Sequence, residues 1–299
     1  MTITSMCPHC AYPVLAGEAF CEDCGRAIRP GAPGACTACG AAALGQDGYC
    51  GRCGVRQPTG RDHTEIQVAT QTGTAAGVSD RGLRHSRNED AMALAAVDDV
   101  TIAGVVCDGV SSSPRPDAAS QTAAETGAAA LVSELRTGAG HVRATRIAVA
   151  RAAAAVATLG TFEDAPACTY VSAIVTPGRV TVGWAGDSRA YWLGAGPVRL
   201  TADDATDGGM LTAWLGADAG EVLPQVKTFE PDGPGAVLVC SDGLWNYLPS
   251  AAEMAAAAPH AAGSPLPTAQ ALVRLALQAG GRDNITVLVI PFEKGSPLQ

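Results

Sequence analysis

At five places an acidic residue stands where an apolar run begins or ends. Asp108-Gly109 follows Val105-Val106-Cys107, Gly186-Asp187 follows Val180 to Ala185, and Asp242-Gly243 follows Val237 to Ser241. Asp283-Asn284 opens the run from Ile285 to Ile290, and Asn88-Glu89-Asp90 precedes Ala91 to Ala95. Apolar, β-branched runs of this length predict buried strands. Strand ends deliver their side chains to one edge of a sheet. Carboxylates gathered there repel one another unless a cation holds them, and hard divalent ions such as Mg²⁺ or Mn²⁺ prefer oxygen ligands.

A second constellation lies upstream. Eight of the eleven cysteines fall in the first 53 residues, as four Cys-x2-Cys pairs. Cys7-x2-Cys10, ten residues and Cys21-x2-Cys24 recur 29 positions on as Cys36-x2-Cys39, ten residues and Cys50-x2-Cys53. Two converging pairs give four thiolates, a closed tetrahedral site for structural Zn²⁺. Four disulfides are the competing arrangement. They need an oxidising compartment, and Met1 to Cys7 shows neither the basic nor the apolar region of an export signal. His9 sits inside the first pair, but with four cysteines at hand it is read as a surface residue. Each unit resembles a zinc ribbon, and together they resemble the double zinc ribbon module.

The rest of the chain must supply the elements that bring the acids together. With 299 residues, 47% of them hydrophobic and 16% charged, a large core can be buried. The double ribbon is assigned to residues 1–54, a polar Thr/Gln-rich linker to 55–72, the candidate catalytic domain to 73–293 and a tail to 294–299. Helices are predicted over Asp117 to Leu135, with Asp117 as N-cap, over Val142 to Leu159, and near 250–258 and 267–279. Short turns such as Thr176-Pro177-Gly178-Arg179 join predicted strands as hairpins, so the expected class is α+β rather than doubly wound. The stretch Ile147 to Leu159 is Ala-dominated and interrupted by Arg151, a packed helix rather than a membrane span. The net charge of −9 disfavours nucleic acid and anionic membranes as partners. A cytoplasmic monomer is expected.

The acidic motifs occur with characteristic neighbours and in a characteristic order. Ser79-Asp80-x-Gly82 leads to Asn88-Glu89-Asp90, then Val106-Cys107-Asp108-Gly109, then Gly186-Asp187-Ser188-Arg189-Ala190-Tyr191. Leu238 to Leu244 and Gly281-Arg282-Asp283-Asn284-Ile285-Thr286-Val287 complete the set. Over residues 77–291 this resembles the metal-dependent serine/threonine protein phosphatases of type 2C. The resemblance implies an α-β-β-α sandwich of two antiparallel sheets flanked by helices. It also implies that Asp108 bridges two Mn²⁺ or Mg²⁺ ions, that the Gly109 carbonyl binds one of them, and that Asp242 and Asp283 complete the other. Asp90 with Glu89 holds the first-motif side, Asp187 lies near a third ion, and Asn284 orients Asp283 or a bound water. The implied reaction is hydrolysis of phosphoserine and phosphothreonine in phosphoprotein substrates, by water activated between two ions. No side-chain nucleophile is then required, and Cys107, Cys168 and Cys240, set in apolar runs, are read as packing thiols.

Three departures from the family pattern bear on function. The family's phosphate-gripping arginine falls at His85 here, with Arg84 and Arg87 on either side. Arg84 is expected to take the role through a backbone adjustment, with His85 as the alternative and two surface residues as the bland reading. Val110 follows Asp108-Gly109 where some relatives have a histidine, and the segment from Leu200 to Gly216 is short where relatives carry a longer flap. Glu163 or Asp164 is a further candidate ligand. In residues 1–60, Arg26, Arg29, Arg52 and Arg56 balance Glu18, Glu22, Asp23 and Asp47, so thiolate-bound zinc would leave the ribbons anionic. That excludes a basic footprint for nucleic acid and favours docking of a protein partner or regulation. A weakly active or inactive phosphatase-like regulator that binds phosphoproteins is the alternative to an active enzyme.

Overall fold

The structure, a computed structural model, describes residues 3–7, 12–15, 21, 35–45 and 48–294. A short antiparallel hairpin, β1 (Ile3–Met6) and β2 (Pro13–Leu15), comes first. The strands β3 (His63–Thr70), β4 (Gly73–Asp80), β5 (Ala91–Ala96) and β6 (Ile102–Cys107) follow, then the helices α1 (Pro116–Arg136) and α2 (His141–Ala157). Next are β7 (Ala167–Cys168), β8 (Tyr170–Thr176), β9 (Arg179–Ala185) and β10 (Arg189–Gly194). They lead to β11 (Val198–Arg199), β12 (Leu215–Gly216), β13 (Gln225–Phe229) and β14 (Gly235–Cys240). Helices α3 (Asp242–Trp245), α4 (Ala251–Ala257) and α5 (Pro265–Gln278) precede the last strand, β15 (Ile285–Phe292). No described helix is long and apolar enough to cross a membrane.

Two antiparallel sheets carry the strand orders β11-β10-β14-β15-β4-β3 and β13-β9-β8-β6-β5. The inner strands of both sheets are mostly apolar because both faces are covered, and the period of two decides which layer each side chain joins. Val237 and Val239 of β14 face the other sheet, with Leu288, Ile290 and Phe292 of β15 and Val171, Ala173 and Val182 opposite. Ala236, Leu238 and Cys240 face the helix layer with Val287 and Val289, against Leu272, Val273 and Ala276 of α5. On the other side, Val105 and Cys107 of β6 and Ile174 of β8 meet the alanine-rich faces of α1 and α2. The expected α-β-β-α sandwich is what these contacts build.

Two local readings change. Residues 63–70, assigned to the linker on their Thr/Gln content, form β3 and pair with β4 from His63↔Asp80 to Thr70↔Gly73. The strand signal is present as an alternation: Thr64, Ile66, Val68 and Thr70 are half-buried, while Glu65, Gln67 and Ala69 are exposed. Asp117 does not cap α1. Arg115, with φ 49° and ψ 50°, is the N-cap residue, and Pro116 enters the first turn with its preset φ. Asp117 instead places its charge in that first turn, where the helix dipole favours an anion.

The alternation also settles where the strand-end thiols point. Cys107 and Cys240 are fully buried in the two helix-side layers. Cys107→Ala and Cys240→Ala should each lower stability by about 1 kcal/mol in urea unfolding, the scale of a lost buried methylene-sized group. The m-value should stay unchanged.

Candidate active site

Strand register carries the acids to one edge. Ala91 of β5 pairs with Cys107 of β6, so Asp90 enters the sheet beside Asp108 leaving it. Cys240 of β14 pairs with both Arg189 of β10 and Val287 of β15, which brings Asp187, Asp242 and Asp283 to the matching edge of the other sheet. Asp108, Asp187, Asp242 and Asp283 line one cleft of about 640 Å³, and Asp90 is buried next to it. Gly109 also lines the cleft. A Cβ there would stand 2.6 Å from the carbonyl oxygens of Glu89 and Pro116, so only glycine lets these segments close together.

The carboxylates raise one another. Burial, then the charges of Asp90, Asp242, Asp283 and Asp187, push Asp108 well above the ordinary carboxylate range. Burial with Asp283, Asp187 and Asp90 pushes Asp242 up to about 7. Burial raises Asp90 to about 6, against the hydrogen bonds of Ser241 and Thr286 and with the added charge of Asp283. Asp187 is raised as well, by burial first. Asp90 Oδ2 accepts a 2.7 Å hydrogen bond from Ser241 Oγ, while its buried Oδ1 has no hydrogen-bond partner. Among the described residues no lysine or arginine lines the cleft. Desolvated carboxylates with few donors and with no lysine or arginine in the cleft lining are the oxygen set that Mg²⁺ and Mn²⁺ take, so the residues present fit such ions.

The loop from Arg81 to Glu89 is fastened by Asn284. Its Oδ1 accepts from the Glu89 amide at 2.7 Å, and its Nδ2 donates to the carbonyls of Arg81 at 2.7 Å and Arg87 at 3.0 Å. Its own amide donates to Asp283 Oδ1 at 2.8 Å. Glu89 turns to Ser111, whose hydroxyl donates to Oε2 at 2.6 Å, and to the Nδ1 of His85 at 3.8 Å. His85 also reaches Asp283 Oδ1 with Nε2 at 3.1 Å. Arg84 is exposed and makes no hydrogen bond or ion pair among the described residues. Glu163 lines the cleft, whereas Asp164 pairs with Arg115 at 3.1 Å. Val110 lines the cleft beside Ser111, Ser112 and Ser113.

Sequence reading missed the hydroxyl frame under the acids. The Asp108 amide donates to Thr169 Oγ1 at 3.0 Å, and that hydroxyl shares a 2.8 Å hydrogen bond with Ser188. Ser241 Oγ accepts from the Thr286 amide at 3.0 Å while donating to Asp90. The signal was a polar residue at the end of a run buried on both faces, where a free hydroxyl is costly.

The second cysteine unit forms a cluster. The four sulfurs of Cys36, Cys39, Cys50 and Cys53 lie within 4.8 Å of one another. Cys36 Sγ is 3.6 Å from Cys53 Sγ, and Cys39 Sγ is 3.7 Å from Cys50 Sγ. A disulfide would need about 2.05 Å. A tetrahedron of Zn–S bonds of about 2.3 Å places its sulfurs about 3.8 Å apart. Gly40 and Gly54, each after the second cysteine of a pair, have φ of 70° and 71°, the left-handed turn that returns their amides to the carbonyls of Cys36 and Cys50. Burial pushes the Cys36 thiol up, but the amides of Cys39 and Ala38 and the neighbouring sulfurs bring it down to about 6. The cluster fits zinc. In the first unit, His9, Cys10 and Cys24 lie outside the described residues. Cys7 and Cys21 are buried, and with Val14 they pack against Leu83 of the active-site loop.

The profile of protein phosphatase 2C matches residues 81–270, more than half of the chain. The chain belongs to that family and is a metal-dependent serine/threonine protein phosphatase. No curated protein matches it. Among solved structures, it is 26% identical to the Mycobacterium tuberculosis serine/threonine phosphatase PstP/Ppp, covering 73% of this chain and 98% of that one with a TM-score of 0.56. The catalytic domain of PstP in complex with two manganese ions is 25% identical, over 77% of this chain and 100% of that one, with a TM-score of 0.57. Stp1 from Staphylococcus aureus shares the fold at 20% identity and a TM-score of 0.62, over 79% of this chain and 100% of that one.

Two outcomes follow from the charge balance. The raised carboxyls keep protons in the metal-free native state that the unfolded chain has already released between about pH 4 and 7. Their contribution to stability is therefore present at low pH and lost as pH rises through the values of about 6 for Asp90 and about 7 for Asp242. The melting temperature of metal-free protein should fall on the order of 5 °C between pH 5 and pH 8 from these groups, and millimolar Mn²⁺ should remove the fall. At the thiol cluster, Cys36→Ser should lower bound zinc by one equivalent per chain, measured by elemental mass spectrometry. An unchanged zinc content would place the metal elsewhere.

Proposed function

We propose that the protein hydrolyses phosphoserine and phosphothreonine in phosphoprotein substrates at the cleft between its two sheets. Asp108, Asp242 and Asp283 hold two Mn²⁺ or Mg²⁺ ions in this reading, with Gly109 and Asp90 beside them and Asp187 toward a third. The observation that carries it is the set of buried carboxylates that raise one another, with Asp90 Oδ1 left without a partner. When bound, such ions supply Lewis-acid activation of water and neutralise the phosphoryl oxygens. The chain's own residues do the positioning. Thr169 and Ser188 fix the backbone at Asp108, Ser241 orients Asp90, and Asn284 fixes the backbone at Glu89 and Asp283.

His85 is assigned the phosphate-side role in preference to Arg84, because its ring reaches Asp283 while Arg84 points to solvent. Cys36, Cys39, Cys50 and Cys53 hold one structural zinc, and Cys7, Cys10, Cys21 and Cys24 the other. The domain boundaries at residues 54 and 293 are kept, and the linker is shortened to 55–62 so that β3 belongs to the catalytic sandwich. The ribbons dock a protein partner or regulate the enzyme.

Mn²⁺-dependent hydrolysis of a phosphothreonine peptide tests the reading. Asp108→Asn and Asp242→Asn should each lower kcat at least about 100-fold, since each removes a charge worth several kcal/mol at the transition state. His85→Ala should raise KM more than Arg84→Ala does. No Mn²⁺-dependent turnover by the wild type would leave a phosphoprotein-binding regulator instead.

A further inference from the structure

The segment between the thiol cluster and β3 makes contacts that a tether does not need. At its start, Gln57 is buried inside the cluster. Its Nε2 donates to Cys36 Sγ at 3.3 Å and to the Val55 carbonyl at 2.8 Å, and its Oε1 accepts from the Thr37 amide at 2.8 Å. Arg56 grips Asp62 with two hydrogen bonds of 2.7 and 2.8 Å. The Asp62 carbonyl accepts from the Arg81 amide at 2.8 Å, and Arg81 in turn donates to the carbonyl of His85.

Arg61 extends this strap into the active site. Its Nη2 donates to the carbonyl of Asp90 and its Nη1 to the carbonyl of Asp117, both at 3.1 Å. Its own carbonyl accepts from Asn88 Nδ2 at 3.1 Å, and Asn88 Oδ1 accepts from the Asp90 amide at 3.2 Å. One guanidinium thus links the backbone of Asp90 to the first turn of α1, whose Pro116 carbonyl limits the space at Gly109. The planar fork of arginine suits two carbonyls arriving from different segments; a lysine can meet them only as a single point.

We infer that Arg61 is a positioning residue for Asp90, and that residues 55–62 make the Cys36–Cys53 cluster part of the frame of the catalytic site. The inference rests on the reading that Asp90 helps hold the divalent ions. Groups behind metal ligands set ligand orientation, and their loss typically weakens metal binding about 10–100-fold. The packing of Cys7, Val14 and Cys21 on Leu83 touches the same loop from the other cysteine unit.

The test uses full-length zinc-loaded protein and the variants Arg61→Ala, Arg61→Lys and Gln57→Ala. Mn²⁺ affinity is measured directly by titration calorimetry, beside kcat and KM for the phosphothreonine peptide. Arg61→Ala should weaken Mn²⁺ binding about 10-fold. Peptide KM at saturating Mn²⁺ should stay near the wild-type value. Arg61→Lys should recover part of the loss, and Gln57→Ala should weaken Mn²⁺ binding in the same direction. Adding Gln57→Ala to Arg61→Ala should cost less than the sum of the two singles. Wild-type Mn²⁺ affinity in Arg61→Ala would overturn the inference. If Arg61→Ala does not fold, Arg61→Lys and Gln57→Ala decide it by the same criterion. A wild type that binds Mn²⁺ but does not turn over peptide would count against the proposed function alone.

Discussion

Mutual repulsion among desolvated carboxylates is the constraint around which this molecule is organised. Burial raises Asp108, Asp242 and Asp90 first, and the nearby charge of Asp283 raises each of them further. A fold does not gather such groups without rigid means of holding them. Here the means are the ends of strands whose middles are buried on both faces. β6, β14 and β15 cannot slide by one residue without turning a helix-facing side chain into the gap between the sheets. The sandwich core thus fixes the positions of acids that would otherwise separate.

Strand ends alone do not fix carboxylate orientation, and the hydrogen bonds around the acids supply the rest. Ser241 connects the end of β14, through Thr286 of β15, to Asp90 at the start of β5, so one hydroxyl spans both sheets. Asn284 draws three backbone groups of the Arg81–Glu89 loop onto the start of β15. These are bonds to neutral donors and acceptors, which hold geometry without cancelling the charge. The charge is left for a cation, and the cleft lining contains no arginine or lysine that would serve instead.

Much of this was legible in the sequence because buried strands and their acidic ends have a local signature. Asp108, Asp187, Asp242 and Asp283 could be placed from apolar runs followed or preceded by Asp, and the α+β class from the hairpin turns between those runs. The less legible parts depend on long-range partners. β3 was hidden because Glu65 and Gln67 occupy the solvent-facing half of an edge strand and Thr64 and Thr70 part of the other, so its composition matches that of a linker. Asn284 was visible as a neighbour of Asp283, but its main partners lie about 200 residues away in sequence, beyond any spacing rule. A separation of 151 residues likewise hid Ser241 as the partner of Asp90. His85 reaches Asp283 and Glu89 while Arg84 is exposed, a difference within one loop that residue type does not encode.

The cysteine units show how a module that looks separable in sequence can be joined to a site mechanically. Their spacing is self-contained, and Cys36, Cys39, Cys50 and Cys53 close a site with no ligand from the phosphatase domain. Yet the chain leaving that site runs through Gln57, the Arg56–Asp62 pair and Arg61 to the carbonyl of Asp90 within a few residues. Burial pushes the Asp62 carboxyl up, but the Arg56 guanidinium and the Thr59 hydroxyl hold it below the ordinary carboxylate range. A flexible tether would leave those charges to solvent, and exposed ion pairs contribute little. The half-buried pair instead directs the segment, so the named bonds run from the sulfurs to the backbone of Asp90.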